Sequence, residues 1–325
     1  STGCAAPWVE GLNRMDINFV SSQHSKKVFE DIKFEKRNKE TNAIEGVVKL
    51  EKPIEVVFEG YNEDVYKHLK PNEVSFNLDS VKETFNYLFV GHWMQGAMGH
   101  DRKNVGAMIK YFFDTFKNKK QRPGFILKTS TGRNSYLSRE QIIDKILQIK
   151  KTYPAGTDFP NVYILNGSLS DQEMNELYNH PKVKAMVSIT KGEGFGRPLL
   201  EFCLSKKPLI VSGWSGHMDF MSPGNVVILG GGLEHVHESA ANQWLLKETK
   251  WFQVDMSQIK KAYKDVFTRY KPYAVNGKKQ GHFIKENFTW TKMKELVGEI
   301  LDKNIPEFPK QVELKMPLGN LPKLQ

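Results

Sequence analysis

From Asn86 onward, short apolar runs alternate with helical stretches. The runs are apolar throughout rather than at every second residue. NYLFVG, GFILKTS, NVYILNG, KAMVSIT and PLIVSG begin at Asn86, Gly124, Asn161, Lys184 and Pro208, and VVILGG repeats the theme at Val226. Between them lie KNVGAMIKYFFDTFKN, REQIIDKILQIKKTY, SDQEMNELYNH and GRPLLEFCLSKK, all with helical spacing. In the first of these helices the period turns Val105, Ile109, Phe112, Phe113 and Phe116 inward. Ser170 followed by Glu173 reads as a capping box. A strand with polar residues at alternate positions wets one face of its sheet, whereas a continuously apolar strand is covered on both. The pattern therefore predicts an α/β fold built on a parallel sheet with helices on either side. Ligands of such sheets sit outside the carboxyl ends of the strands. The loops after Val90, Leu127, Leu165, Ile189 and Val211 are thus expected to meet at one crevice.

A chain of 325 residues exceeds a usual single core, so two domains are expected. Before Asn86 the pattern is weaker. INFVSS (Ile17–Ser22) reads as a short strand, QHSKKVFEDI as its helix, KRNKETN from Lys36 as a charged loop and IEVVFEG (Ile54–Gly60) as a second strand. LKPNEVSFNLDS then looks like a linker. Helical stretches recur near Met256–Arg269 and Gly281–Leu301 with Pro272 interrupting between them, and the last twenty residues hold four prolines. The expected division is residues 1–80 as a partial N-terminal domain and 81–275 as a C-terminal sheet domain. Residues 276–303 form a C-terminal helix crossing back to the first domain, and 304–325 a Pro-rich tail. A hydrophobic fraction of 39% with 20 Phe, 11 Tyr and 6 Trp supports real cores and excludes a disordered class.

Only Cys4 and Cys203 are present, which excludes a disulfide framework and a thiolate metal cluster. Two thiols suit a reducing compartment, so a cytoplasmic location is expected, the host's cytoplasm if the chain is viral. No run is long enough to span a membrane, and no signal peptide is visible. Position 1 is Ser, which suits a fragment, a processed form or an expression product. The net charge of +10 fits nucleic acid, an anionic membrane surface, a phosphorylated ligand or simply a lysine-rich solvated face.

KGEGFGRPLLE, from Lys191 to Glu201, follows one of the apolar runs. Gly192, Gly194 and Gly196 let the backbone turn closely, and Pro198 suits the first turn of a helix. A helix start after a glycine loop can offer amides to a phosphate, although a simple tight turn reads the same way. Glu193 stands before the helix and Glu201 inside it, separated by roughly 10–12 Å if the interval is mostly helical. That is too far for two carboxylates sharing a proton, and near the span from a sugar to a ribose across a diphosphate. Glu201 lies among Leu199, Leu200, Phe202 and Leu204, where a charge needs a partner.

EGFGRPLLE resembles the signature of the retaining glycosyltransferases of GT-B fold, the group that includes sucrose and glycogen synthases and many mannosyltransferases. Glu193, Gly194, Phe195, Gly196, Pro198 and Glu201 occupy every fixed position of the EGFG-x-P-x-x-E string. Thr190, KKPLIVSGWSG, VVFEGYNEDVY and VSSQHSKKVF also resemble family segments, and the resemblance spans about residues 8–300. It implies two doubly wound parallel-sheet domains with the donor crevice between them, the N-terminal one short or truncated, so that residues 1–80 would be the acceptor-side domain and 81–275 the nucleotide-sugar-binding domain. It also implies retaining transfer of a hexose or pentose from a UDP- or GDP-linked donor, which is a substrate rather than a cofactor. Arg102 and Lys103, in HDRKN, match the pair that holds the donor diphosphate, and Lys128 at the end of a strand is a third candidate. Glu193 would bind the donor sugar and Glu201 the ribose. Thr190, Gly192, Gly194, Phe195, Gly196, Arg197 and Pro198 would shape the donor loop. Asn166, Gly167, Ser168 and Leu169 would bracket the base. No DxD string or close His/Cys cluster is present, so no metal is expected.

Two departures stand out. The N-terminal part is shorter than the family's and lacks a matching histidine, although Trp8 and His24 fall near the crevice. In GWSGHMDF, Ser215 and Gly216 replace a glycine pair and Asp219 the family's glutamate, which makes Ser215, Gly216 and His217 candidates for the donor-sugar loop. HWMQGAMGH (His92–His100) suits a loop over the donor. The acceptor stays open between nucleic acid such as modified viral DNA and a glycan, with peripheral membrane contact also allowed. A non-catalytic nucleotide-sugar- or nucleic-acid-binding protein on the same scaffold is the alternative function.

Overall fold

A computed structural model describes residues 1–38 and 40–305. The N-terminal part contains α1 (Ala6–Leu12), β1 (Asn18–Val20), α2 (Gln23–Asp31), β2 (Lys33–Arg37), β3 (Ile44–Lys49) and β4 (Ile54–Val56). The main unit follows as β5 (Asn86–Val90), α3 (Val105–Phe116), β6 (Gly124–Lys128), α4 (Tyr136–Lys151), β7 (Val162–Leu165), α5 (Asp171–Asn179) and β8 (Val183–Ser188). It continues with α6 (Arg197–Cys203), β9 (Leu209–Ser212), β10 (Val227–Leu229), β11 (Gly231–His235), β12 (Lys250–Val254), α7 (Met256–Thr268), α8 (Tyr270–Asn287) and α9 (Trp290–Asn304).

Six strands form one parallel sheet in the order β10-β9-β8-β5-β6-β7. Their continuous apolar character is explained by burial on both faces. Phe112, Phe113, Phe125 and Tyr263 pack on one side, and Leu199, Phe202, Tyr178 and Ile284 on the other. All five residues that the helical period turns inward on α3 are buried. The chain leaves β5 outward through β6 and β7, then returns to the opposite edge of β5 as β8. That reversal is the switch point where a crevice opens at the carboxyl ends. Here it falls between the loops that follow Val90 and Ser188.

The N-terminal part is small. β1 and β4 pair in parallel as a two-stranded sheet, and β2 and β3 form an antiparallel hairpin. The expected charged loop at Lys36 begins inside β2, because Lys36 and Arg37 extend that strand. Its side chains are almost all exposed, so no apolar period marks it. The hairpin β11–β12 and the short α1 likewise carry little periodic signal. Pro272 does not interrupt a helix: it sits in the first turn of α8, where a missing amide breaks no helical bond. One break falls just before it, at Arg269 between α7 and α8, and a second at Phe288–Thr289, where the Thr289 side chain accepts the Lys292 amide and caps α9. That junction docks on the N-terminal part, since the Tyr61 amide donates to the Phe288 carbonyl at 3.0 Å and the Trp290 amide to the Tyr61 carbonyl at 3.1 Å. The expected Pro-rich tail lies, from residue 306 on, outside the described residues.

Helix α8 lies so close to the turn after α6 that a Cβ on Gly281 would stand 2.6 Å from the Cys203 carbonyl oxygen. Gly298, on α9, has no neighbour within 4 Å of its virtual Cβ. Gly281→Ala is therefore expected to cost about 1–3 kcal/mol in urea denaturation. Gly298→Ala should leave stability unchanged or raise it by up to about 1 kcal/mol through helix propensity.

Candidate functional site

The loops after β5, β6 and β7 meet at a cleft of about 420 Å³. Its walls include Gly91, His92, Arg102, Lys103, Lys128, Thr129, Ser130, Asn134, Ser168, Leu169 and Pro198. The crevice expected from the strand ends is thus lined by polar and apolar side chains together, Val90, Leu169, Met174 and Pro198 among the latter, with three cations among the former. Lys128 stands at the end of β6, and its ammonium donates to the Gly167 carbonyl. Gly167 adopts φ +127, a left-handed conformation that aims its carbonyl inward. Asn134 donates to the Ser168 hydroxyl at 2.9 Å, tying the loops after β6 and β7 together.

The glycine loop lies on the other side of Arg102. Gly196 takes φ +101, and α6 starts at Arg197. Few amides remain available there. Pro198 has none, and those of Leu199 and Leu200 already reach the Gly196 carbonyl. The cations, rather than the helix start, carry the positive charge of the site. Glu193 receives two of them. Lys103 Nζ lies 2.6 Å from Oε1 and Arg102 Nη1 3.3 Å from Oε2, while the carboxylate itself is 7% exposed. Arg102 also donates to the Gly192 carbonyl at 2.9 Å. Burial alone would raise the Glu193 carboxyl, but Lys103 and then Arg102 override it and hold it at about 2. Glu193 is ionised at any ordinary pH. Burial lowers Lys103, and Glu193 pulls it back upward.

The loop after β9 closes around this group. The Glu193 amide donates to Ser215 Oγ at 2.8 Å, and the Gly216 amide to the Glu193 carbonyl at 3.1 Å. A Cβ on Gly216 would lie 1.9 Å from the Gly194 carbonyl oxygen, so the approach requires glycine. His217 is fully buried, with Nε2 against the Ser212 carbonyl at 2.7 Å. Neither Ser215, Gly216 nor His217 lines the cleft; they buttress the glycine loop from behind. Thr190 is similar, its hydroxyl within reach of the Gly192 amide and carbonyl. Asn166 turns toward the Thr129 carbonyl. Phe195 packs against Phe220, the rings tilted and 4.8 Å apart. Lys191, which opens the motif, points away altogether. It is buried against Glu234, Gln253 and the face of Trp251.

Glu201 behaves oppositely to Glu193. It is absent from the cleft wall, 7% exposed, with Arg197 Nε at 3.3 Å and the Tyr178 hydroxyl at 3.5 Å. Burial outweighs the pull of Arg197 and raises its carboxyl to about 7. One motif therefore supplies a carboxylate held charged and a carboxyl that is half protonated near neutrality. Environments that push two such groups apart are a mark of sites that use them differently.

A second cleft, of about 530 Å³, lies between the glycine loop and the N-terminal part. Trp8, His24, Phe29, Glu59, Gly192 to Pro198 and Leu245 line it, and Arg102 and Pro198 belong to both clefts. Residues that the sequence did not reveal are Thr129, Ser130, Asn134 and Glu59. They are ordinary polar residues in loops, and only their convergence in space marks them. In the expected donor loop His92–His100, His92 lines the first cleft, whereas His100 stacks on His237 at 4.0 Å, away from it. No group of three His, Cys, Asp or Glu side chains placed to hold a metal occurs among the described residues. No described helix is long and apolar enough to cross a membrane.

No protein-family model matches the chain, and no curated protein matches it in sequence. Solved structures match it in fold. The Anabaena protein Alr3699/HepE, in complex with UDP and glucose, aligns over 91% of this chain and 66% of its own, at 14% identity and TM-score 0.62. Sucrose-phosphate synthase (tll1590) from Thermosynechococcus elongatus aligns over 91% and 60%, at 13% identity and TM-score 0.61. The pneumococcal O-GlcNAc transferase GtfA, in complex with UDP and GlcNAc, aligns over 91% and 47%, at 14% identity and TM-score 0.51. The chain thus spans less than two thirds of the length of these proteins. The likeness is one of fold, and the architecture is GT-B-like.

The two glutamates give opposite pH dependences. Glu201 binds its proton more tightly folded than unfolded. The stability this contributes is complete below the unfolded value of 4.5 and is lost as pH rises through about 7. Comparing stability at pH 4.5 and pH 7 by urea denaturation, Glu201→Gln should remove about 3 kcal/mol of the decline. Arg197→Ala should move the Glu201 midpoint, followed by carboxyl NMR, further upward.

Proposed function

We propose that this chain is a glycosyltransferase that moves a sugar from a UDP- or GDP-linked donor to an acceptor hydroxyl with retention of anomeric configuration. The observation that carries the reading is the charge placed at the seam of the two clefts. Arg102 and Lys103 bring two positive charges, Glu193 removes one, and Lys128 restores it. Two net positive charges therefore face a cleft of nucleotide size, next to an ionised carboxylate able to accept sugar hydroxyls. Two structures of the same fold were solved with UDP together with a sugar, which supports a nucleotide-sugar ligand for a site of this charge.

In this reading the donor diphosphate lies against Lys103, Arg102 and Lys128, and the base lies by Asn166–Leu169 and Asn134. The donor sugar lies beside Glu193. Glu201 takes the ribose, reached past Pro198 if the Arg197 ion pair yields. As the bond from the anomeric carbon to the diphosphate oxygen breaks, negative charge grows on the leaving group. Cations already held in place stabilise that charge more in the transition state than in the ground state. The acceptor oxygen bonds to the same face of the anomeric carbon, and its proton passes to the departing diphosphate. The bound cations need no rearrangement, because Glu193 fixes two of them beforehand. The division of labour proposed for the chain places donor binding in residues 81–275 and acceptor binding in the N-terminal part.

Calorimetric titration with UDP, GDP, UDP-glucose and GDP-mannose tests the donor site. Lys128 forms no ion pair among the described residues, its ammonium donating only to the Gly167 carbonyl, so Lys128→Ala removes a phosphate contact without stranding a charge. It should weaken binding of the preferred nucleotide about tenfold to a hundredfold, the effect of losing one charge-assisted bond. Lys103→Ala should do at least as much. A folded wild-type protein that binds none of the four overturns the reading. Binding without turnover over a broad acceptor panel would favour the non-catalytic binding protein instead.

A further inference from the structure

A further recess, of about 560 Å³, shares no residue with either cleft. It lies where the segment after β4, the turn that ends α6 and the α8–α9 junction meet. Its floor is buried and consists of Tyr61, Tyr66, Leu204 and Gly281. Lysines from three separate segments converge on it, Lys67 after β4, Lys206 after α6 and Lys285 on α8. Among the described residues none of these three ammoniums has an ion-pair or hydrogen-bond partner, and the one carboxylate in the wall, Glu63, instead accepts the Trp290 amide at 3.1 Å. The main chain holds Lys67 in place, its amide donating to Asn175 Oδ1 at 3.2 Å and its carbonyl accepting from Asn179 Nδ2 at 2.9 Å. Lys206 takes φ +63, a left-handed conformation that suits glycine and strains a residue with a side chain. A strained residue whose side chain lines a cavity is a pointer to function. His68 completes the wall, with Nδ1 against the Ser205 carbonyl at 3.2 Å, which places a proton on that nitrogen.

We infer that this recess binds the phosphate monoester of a small molecule, held by Lys67, Lys206 and Lys285. None of its residues enters the donor-site reading, so the two stand apart. Three ammoniums and the Glu63 carboxylate leave two net positive charges, which match the charge of a phosphate monoester near neutral pH. Donors suit the phosphate oxygens as well. Each ammonium presents three, and Thr289 Oγ1, which accepts the Lys292 amide, keeps its own proton to give. The volume is that of a small-ligand site, so a phosphate leaves room for an organic part above the tyrosine floor. Nucleic acid is tracked by cations spread along a groove or stripe, whereas these converge on one recess with a carboxylate in its wall. A lipid headgroup would bring acyl chains against the rim, where Lys67, His68 and Lys285 are exposed and polar. His68 stands where a bound anion would be felt. Burial and then Lys206 hold its imidazole below the ordinary value, and a dianion beside it favours the charged form.

The test titrates the full chain calorimetrically with inorganic phosphate, glycerol 3-phosphate and, as the uncharged control, glycerol. The Lys128→Ala chain is titrated alongside, so that phosphate held in the first cleft is told apart. Glycerol 3-phosphate should bind, glycerol should not, and the binding should persist in Lys128→Ala. Lys206→Gly relieves the left-handed strain and should leave the fold at least as stable, yet weaken glycerol 3-phosphate binding about tenfold. Lys285→Ala should weaken it by a similar factor. The His68 midpoint, followed by NMR and assigned with His68→Gln, should rise when glycerol 3-phosphate is added. Absence of binding overturns the inference. So does binding that Lys206→Gly and Lys285→Ala leave unchanged, or that Lys128→Ala alone abolishes. Tighter binding of a single-stranded DNA oligonucleotide, or of phosphatidylcholine vesicles carrying phosphatidic acid, that the same lysine variants weaken also overturns it, because the lysines would then form a polyanion or membrane surface.

Discussion

A carboxylate taken out of water beside two cations sits at the centre of this molecule. Burial works against the Glu193 charge, and only Lys103 and Arg102 together make it stable. Removing one partner from a buried cluster of this kind strands a charge, which commonly costs about 3–5 kcal/mol. Arg102 is the softer member, since its side chain is 44% exposed and screened by water, whereas Lys103 is 13% exposed. The cluster also joins three loops. Lys103 and Arg102 come from the segment after β5, Glu193 from that after β8, and Ser215 and Gly216 from that after β9. The electrostatic contact that assembles the crevice is therefore the same contact that charges it.

The position of that cluster follows from topology. Parallel strands must be joined by crossovers, and the reversal at β5 and β8 leaves the loops at their carboxyl ends diverging from one point. The N-terminal part then closes the other side of the glycine loop. Asp219 accepts the Gln23 amide at 2.7 Å, so the turn after β9 caps α2 across the seam. This aspartate therefore has a structural partner. The α8–α9 junction provides a second tie at Tyr61. The N-terminal part is thus held at several places, with Thr2 and Lys250 bonded to one another as a further tie.

Much of the site was legible one residue at a time, because the chemistry of a glycine loop with flanking glutamates is local. Arg102, Lys103 and Glu193 could be picked out as candidates, and the structure brings them within ion-pair distance. What the sequence did not give away was direction. Lys191 and Glu193 are two residues apart, yet one faces a packed tryptophan and the other the seam of two clefts. His217 reads as an unusual polar residue in a sugar loop, and the structure buries its ring, with Nε2 against the Ser212 carbonyl and Nδ1 without a hydrogen-bond partner among the described residues. The exposed hairpin β2–β3 escaped notice for the opposite reason: charged residues on both faces leave no hydrophobic period to read.

The sequence by itself determined the parallel, helix-covered sheet, since a strand buried on both faces must be apolar at every position and a helix packed on it must repeat every three to four. It also determined where the backbone had to be glycine. The tertiary structure alone decided which charges meet. Ionisation depends on burial and on partners distant in sequence, so two glutamates eight positions apart in one motif, alike on paper, end at about 2 and about 7. It alone decided, too, that Trp8 and Trp244, far apart in the chain, come to lie with their rings 5.8 Å apart. Such a contact is a property of distance in space, and no local pattern records it.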